Sequence, residues 1–202
     1  RMAVPGRVGK WWIWALAVLF LSCDAGGDKK PNAEEPNPAK TEVSAPAFDA
    51  DSAYAYVAQQ VAFGPRVPNT PEHAACASWL ASELERHGAE VTVQEGRARA
   101  FDGTILNMKN IVGTFHPESR DRILLFAHWD TRPFADKDTV RLREPIDGAN
   151  DGASGVGVLL EIARQLGLEA ADVGVDIVFF DAEDYGRPEW LPAMEDLSLI
   201  HI

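Results

Sequence analysis

Along the chain, segments with apolar residues at helical spacing alternate with short runs that are apolar almost throughout. Tyr54, Val57, Ala58, Val61 and Ala62 fall at i, i+3, i+4, i+7 and i+8, which predicts an amphipathic helix ended by Phe63-Gly64-Pro65. A second helix is predicted to open with Thr70 as N-cap and Pro71 in the first helical position, with Glu72 suited to the first turn. It should bury Cys76, Trp79, Leu80 and Leu84 and stop at Gly88. Strand-like runs follow at 90–97, 110–115, 122–128 and 175–181. Between the last two, residues 153–166 carry more apolar residues than one stripe needs, as suits a helix packed closely on a sheet. A strand, a crossover helix and a strand predict a parallel pair with a right-handed connection. The near-continuous apolar runs at 122–128 and 175–180 predict central strands covered on both faces. The pattern therefore predicts an α/β domain with a mixed sheet and no internal repeat.

The ends of the chain read differently. Arg1, Arg7 and Lys10 precede the apolar run 11–21. That run fits the roughly 7–15 residues of a secretory signal and falls short of the roughly 20 needed to span a bilayer. It ends at Phe20-Leu21-Ser22-Cys23, which resembles a bacterial lipobox with Cys23 as the lipidation site. An ordinary cleaved signal and an uncleaved anchor are the alternatives. Residues 24–47 are rich in Pro, Ala, Asn, Glu and Lys and poor in large apolar residues, so a flexible tether is expected there. The expected organisation is a signal peptide at 1–22, a tether at 23–47 and a folded domain from 48 to 196.

Composition narrows the partners. The formal net charge is −12, and losing residues 1–22 removes three basic residues and no acidic one. Such a surface argues against nucleic acid or an anionic membrane as ligand, and leaves the lipid anchor as the membrane contact. Cys76 would be the one cysteine of the mature domain, which leaves it no disulfide partner and the role of a buried, inert thiol.

The candidate chemistry lies where the apolar runs stop. One ends at His128-Trp129-Asp130 and another at Asp181-Ala182-Glu183-Asp184, while Gly148-Ala149-Asn150-Asp151-Gly152 leads into the crossover helix. The crevice beyond the C-terminal ends of such strands is the usual binding site of an open α/β sheet. Alone, each element is weak: a histidine ending a strand is usually structural, an aspartate before a helix is usually its N-cap, and Asp181 could cap its strand. Together, clustered carboxylates need a compensating cation, and an imidazole with carboxylate oxygens suits zinc. Asp130, two residues past His128, could orient that imidazole.

These motifs resemble the zinc aminopeptidases with co-catalytic metals, and more narrowly their glutaminyl-peptide cyclotransferase branch. Phe63-Gly64-Pro65-Arg66-Val67-Pro68, Asn110-Ile111-Val112 and Asp181-Ala182-Glu183-Asp184-Tyr185-Gly186 look like the bacterial members of that branch. The resemblance covers residues 54 to 195. It implies a three-layer domain with a mixed, mostly parallel central sheet flanked by helices. It also implies Asp151 and Asp184 as zinc ligands, Glu183 as general acid/base, and His128 as ligand to a second metal in a peptidase or as a support of the site in a single-zinc cyclase. Asp184 stands where many relatives carry glutamate. One zinc is implied for a cyclase and two for an aminopeptidase. The substrates would be peptide or protein N-termini, and the protein a monomer in the bacterial cell envelope. A cyclase that forms pyroglutamate from N-terminal glutamine is the expectation. A zinc aminopeptidase is the second reading, and a catalytically dead binding module the third.

Residues 197–202, Leu-Ser-Leu-Ile-His-Ile, match the translation of a transposon-end adapter, so His201 is excluded as a ligand. The start at Arg1 ahead of Met2 is read as the edge of a gene fragment. Relatives continue further and supply a final histidine ligand, so residues 48–196 alone are expected to be inactive. Arg66, Arg132 and Asp136 are expected in surface ion pairs, Trp129 in packing, and His73, His87 and His116 at the surface.

Overall fold

A computed structural model describes residues 45–191. The expected signal peptide, Cys23, nearly all of the tether, residues 192–196 and the tail at 197–202 lie outside the described residues.

Helix α1 spans Ala50–Ala62, with the Asp49 carboxylate accepting the amides of Asp51 and Ser52. Its packed face is one residue out of register with the expected one. Ala53 and Gln60 are buried and Tyr56, Val57 and Val61 half-buried, whereas Tyr54 is 74% exposed and Ala58 and Ala62 lie outside. Polar side chains with exact partners account for the shift. Gln60 donates to the carbonyl of Ala153, and the Tyr56 hydroxyl meets His87 Nε2 at 2.9 Å. The Gln60 amide N–H groups meet the carbonyls of Tyr56 and Ala153, while its Oε1 is buried without a partner, and apolar spacing alone cannot see such contacts.

Helix α2 spans Pro71–Arg86 and begins as expected, with Thr70 Oγ1 accepting the amide of His73. Cys76, Leu80 and Leu84 are fully buried, Trp79 half-buried, and Gly88 follows the helix at φ +90°. Two of the histidines expected at the surface are in fact buried. His73 continues the stripe of Cys76, Ala77, Leu80 and Leu84 and pairs with Asp181, while His87 packs under Tyr56. His116 is exposed.

Strands β1 (Glu90–Arg99), β2 (Ile105–Phe115), β3 (Arg122–His128) and β4 (Gly174–Phe180) form one sheet in the order β1-β2-β4-β3. The β1–β2 hairpin and the β2–β4 pair are antiparallel, and β3 lies parallel to β4 across helix α3, Ala153–Leu168. The result is a mixed open sheet flanked by helices, with one parallel pairing of three among the described strands. Gly113 pairs with Ile177 and Ala127 with Phe179, so both lie on one face of the sheet. Leu84 of α2 sits over Gly113, and Gly155 of α3 over Ala127, so these two helices cover the same face. Helix α1 packs on α3, where a Cβ at Gly157 would stand 2.7 Å from Val57 and 2.8 Å from the carbonyl of Ala53. The core is built from Leu80, Leu84, Ile111, Val156, Leu160, Ile177 and Phe179.

The second helical layer of the expected three is not among the described residues. Strand β4 is interior, but β3 is the edge of the described sheet, contrary to the expectation of two central strands. Leu124 and Phe126 are consequently exposed, Phe126 at 64% and edge-on to Phe180.

Candidate metal centre

Because β3 and β4 run parallel with His128 opposite Phe180, the residues just past each strand come out side by side. The Trp129 amide continues the ladder by donating to the Phe180 carbonyl at 3.0 Å. Trp129 is fully buried, stacks on His73 at 4.4 Å between ring centroids, and donates its indole N–H to the carbonyl of Lys109. It is packing, as expected, and it fixes where the flanking His128 and Asp130 stand.

Asp130 is buried, and its carboxylate accepts the amides of Glu183 at 3.2 Å and Asp184 at 3.1 Å. Its Oδ1 lies 3.6 Å from His128 Nδ1, beyond hydrogen-bond distance. This residue thus anchors the 183–184 backbone and faces the imidazole as a charge. Asp181, at the end of β4, is more than a strand cap. It accepts the amides of Lys109 and Ala182 and pairs with His73, whose Nε2 lies 2.8 and 2.9 Å from its two oxygens. Ala182 then takes φ +61°, and the chain turns to present Glu183 and Asp184.

The third segment enters through Gly148 and Gly152. Both have left-handed φ, and a Cβ would stand 2.3 Å from Thr131 at the first and 2.7 Å from the Asp130 carbonyl at the second. Helix α3 begins without a side-chain cap, so Asp151 is not spent on capping. Its exposed carboxylate lies 3.0 Å from His128 Nε2, and His128 Nδ1 is 3.7 Å from Glu183 Oε2. The fold therefore places Asp130, Asp151 and Glu183 within 4 Å of the His128 ring nitrogens, with Asp184 near enough to feel the charges of Asp151, Asp130 and His128.

Electrostatics there are unbalanced. Asp130 above all, then the charges of Glu183 and Asp151, raise the His128 imidazole to about 9 against the opposing effect of burial. Burial, followed by the charges of Asp151 and Asp130, pushes the Asp184 carboxyl up to about 6. Asp184 Oδ2 and His128 Nδ1 are buried without a hydrogen-bond partner. A cation would relieve this strain, and imidazole nitrogen with carboxylate oxygen is a donor set zinc accepts. In kind, then, the residues present fit zinc. In number, no group of three or more His, Cys, Asp or Glu side chains is gathered to hold a metal ion among the described residues.

Beside these carboxylates opens a cleft of about 690 Å³ lined by Arg132, Phe134, Asp136, Asp151, Asp184 and Glu189, among others. Arg132 and Asp136 form the expected ion pair, at 2.6 Å, but Asp136 is buried and its carboxylate also accepts the amide of Glu189. Arg132 further donates to the carbonyls of Asp184 and Arg187, tying the cleft wall together. Arg66 overturns its expected surface role outright: it is 0% exposed and donates to backbone carbonyls. His73 could have been found by extending the buried stripe of α2 back one turn. Arg66 left no such signal.

Residues 110–188, which hold every one of the clustered site residues, match Peptidase family M28. The chain is 61% identical to glutaminyl cyclase from Tannerella forsythia, with a TM-score of 0.73, over 74% of this chain and 52% of that one. It is 60% identical to a Zn-dependent exopeptidase from Parabacteroides distasonis, TM-score 0.73, over 75% of this chain and 52% of that one. Aminopeptidase YwaD of Bacillus subtilis (strain 168) is 33% identical over 110 residues, 51% of this chain and 21% of YwaD. This chain thus spans about half the length of those solved relatives and about a fifth of that curated one. With the mixed open sheet, the parallel strand ends and the matched stretch in agreement, the chain is similar to bacterial glutaminyl cyclases and zinc-dependent exopeptidases, and its residues 110–188 carry the match to peptidase family M28.

Proposed function

We propose that the whole protein is a zinc-dependent glutaminyl-peptide cyclotransferase, which converts the N-terminal glutamine of peptides and proteins to pyroglutamate and releases ammonia. The observation that carries this reading is the 61% identity to the Tannerella forsythia glutaminyl cyclase across 74% of the chain. Asp151 and Asp184 would hold a single zinc. When bound, zinc supplies a Lewis acid that polarises the side-chain amide carbonyl of the substrate. The substrate's α-amine nitrogen bonds to that amide carbon, closing a five-membered ring, and the bond to the amide nitrogen breaks. Glu183, exposed and free of charge partners closer than 3.7 Å, takes the proton from the amine and delivers it to the departing nitrogen. His128 holds the Asp151 carboxylate from the other side.

A specific observation favours a second reading, a two-zinc aminopeptidase. Identity to the Zn-dependent exopeptidase is nearly as high, at 60%, and His128 Nε2 stands close enough to Asp151 for the two to share an ion. Glu183 would then take the proton of an attacking water.

On the same footing we place the protein in the bacterial cell envelope as a monomer anchored through Cys23. The lipobox-like end of the apolar run at 11–21 supports the anchor, and the acidic excess argues against nucleic acid as a ligand. The deciding assay compares a glutamine amide with a leucine amide on the full-length protein. Ammonia and pyroglutamate from the first alone are expected; cleavage of the leucine substrate would replace the cyclase with the peptidase.

A further inference from the structure

Arg66 lies in Gly64-Pro65-Arg66-Val67-Pro68, the connection between α1 and α2, and is fully buried. A guanidinium removed from water must have its donors met, and a carboxylate is the usual partner. Here the bonds all go to backbone carbonyls. Nε donates to Trp129 at 3.2 Å, Nη1 to Asp147 at 2.7 Å and to Gln60 and Gly64 at 3.4 Å, and Nη2 to Gly148 at 2.8 Å. The carbonyl of Arg66 itself accepts the amide of Thr131.

Those partners come from three places: the end of α1, the segment leaving β3 between His128 and Asp130, and the loop that enters α3. At Gly148 the loop lies so close that a Cβ there would stand 2.8 Å from Arg66 Nη2. The Gly148 carbonyl also accepts the amide of Ala153 in the first turn of α3. Asp151 therefore sits between two anchors, Gly148 and Ala153, that meet at one oxygen held by Arg66. A lysine could not reproduce this, because its single nitrogen cannot reach three segments at once.

We propose that Arg66 is a positioning residue: it clamps the 147–152 loop against the end of β3 and so sets where Asp151 stands relative to His128. The clamp's effect on zinc rests on the metal reading given above. A merely structural arginine would affect stability alone, so the test needs readouts that stability does not move.

The experiment uses the full-length protein, stripped of metal by a chelator and titrated with zinc, together with amide hydrogen exchange of the metal-free state. Arg66→Lys should weaken zinc binding by roughly ten- to a hundredfold, the range for groups that orient metal ligands. It should also speed exchange across residues 147–152 by roughly tenfold, about the loss of one hydrogen bond's local protection. Leu84→Ala, in the core under Gly113, should lower the melting temperature while leaving both readouts near wild type. Wild-type zinc affinity and loop exchange in Arg66→Lys, or equal losses in Leu84→Ala, would overturn the proposal. Should Arg66→Lys not fold, Arg66→Gln, which keeps two donors on a shorter side chain, must show the same two changes; wild-type values there overturn it as well. If the wild-type protein takes up no zinc, the metal reading fails, and the exchange of 147–152 alone decides the clamp.

Discussion

Glu183 and Asp184 are consecutive, yet their surroundings are opposite. The Glu183 side chain is 63% exposed, whereas that of Asp184 is 13% exposed and held up near 6 by burial and by the charges of Asp151 and Asp130. The turn at Ala182 and the two amide bonds to Asp130 aim one carboxylate at solvent and the other inward. A mobile, hydrated carboxylate suits proton transfer, and a dehydrated one without a donor suits a cation. Glu183→Gln should therefore lower turnover by about 10²–10⁴-fold, the usual worth of a positioned acid/base, while leaving zinc content unchanged. Metal analysis beside the assay checks it, and loss of zinc in that variant would recast Glu183 as a ligand. Cys76 behaves as its place in the helical stripe foretells: fully buried, with burial pushing the thiol up to about 12. Arg66 could not be read this way. Nothing in Gly64-Pro65-Arg66 distinguishes a guanidinium that points out from one that finds five carbonyls inside.

At the scale of elements, apolar spacing located α1, α2, α3 and all four strands, because burial against one sheet face imposes periods of 3.6 and 2. What it missed were elements whose packing uses polar groups. The face of α1 slipped by one residue because Gln60 and Tyr56 have partners. Strand β2 begins at Ile105, five residues ahead of the expected 110, because Asn107 and Lys109 pair with β1 on an exposed hairpin where apolar alternation is weak. The link between α2 and the site was likewise hidden, as it runs through a buried hydrogen-bonded pair. His73 and Asp181 bury their side chains to 2% and 0% exposure, and Asp181 is the root of the 182–184 turn. Removing one member of such a pair strands the other, so His73→Ala should cost about 3–5 kcal/mol in urea unfolding. His73→Gln, whose amide N–H can still donate to the Asp181 carboxylate, should recover much of that loss; no recovery would show that the cost lies in packing on Trp129.

For the whole molecule, charge sets the response to acid. Arg132 holds the Asp136 carboxyl down at about 2, and Arg122 holds Asp176 below its ordinary value. A carboxylate depressed in the folded state contributes stability that is present above its unfolded value and is lost as pH falls through the folded one. Stability should therefore decline from about pH 4 towards pH 2, and urea midpoints across that window should fall less steeply in Arg132→Met. The place where the three motifs meet was legible at this scale because the topology requires it. Two parallel strands joined by a helix must bring their C-terminal ends and the helix entrance together, so three short polar motifs sufficed to place it. The geometry within the cluster was not legible, since it depends on contacts between residues distant in sequence.

That distance has a temporal side. The bonds from Arg66 join positions 63, 81 and 82 residues apart, far longer spans than those closed within the hairpin or the helices. Closing such loops has a cost in chain entropy and is slow before nearer contacts exist. During folding, the hairpin and helices have local reasons to form early, whereas the corner where α1, β3 and α3 meet must wait for all three. It is accordingly the corner expected to come apart first under mild denaturant, so that a molecule with its sheet intact would already have fallen silent.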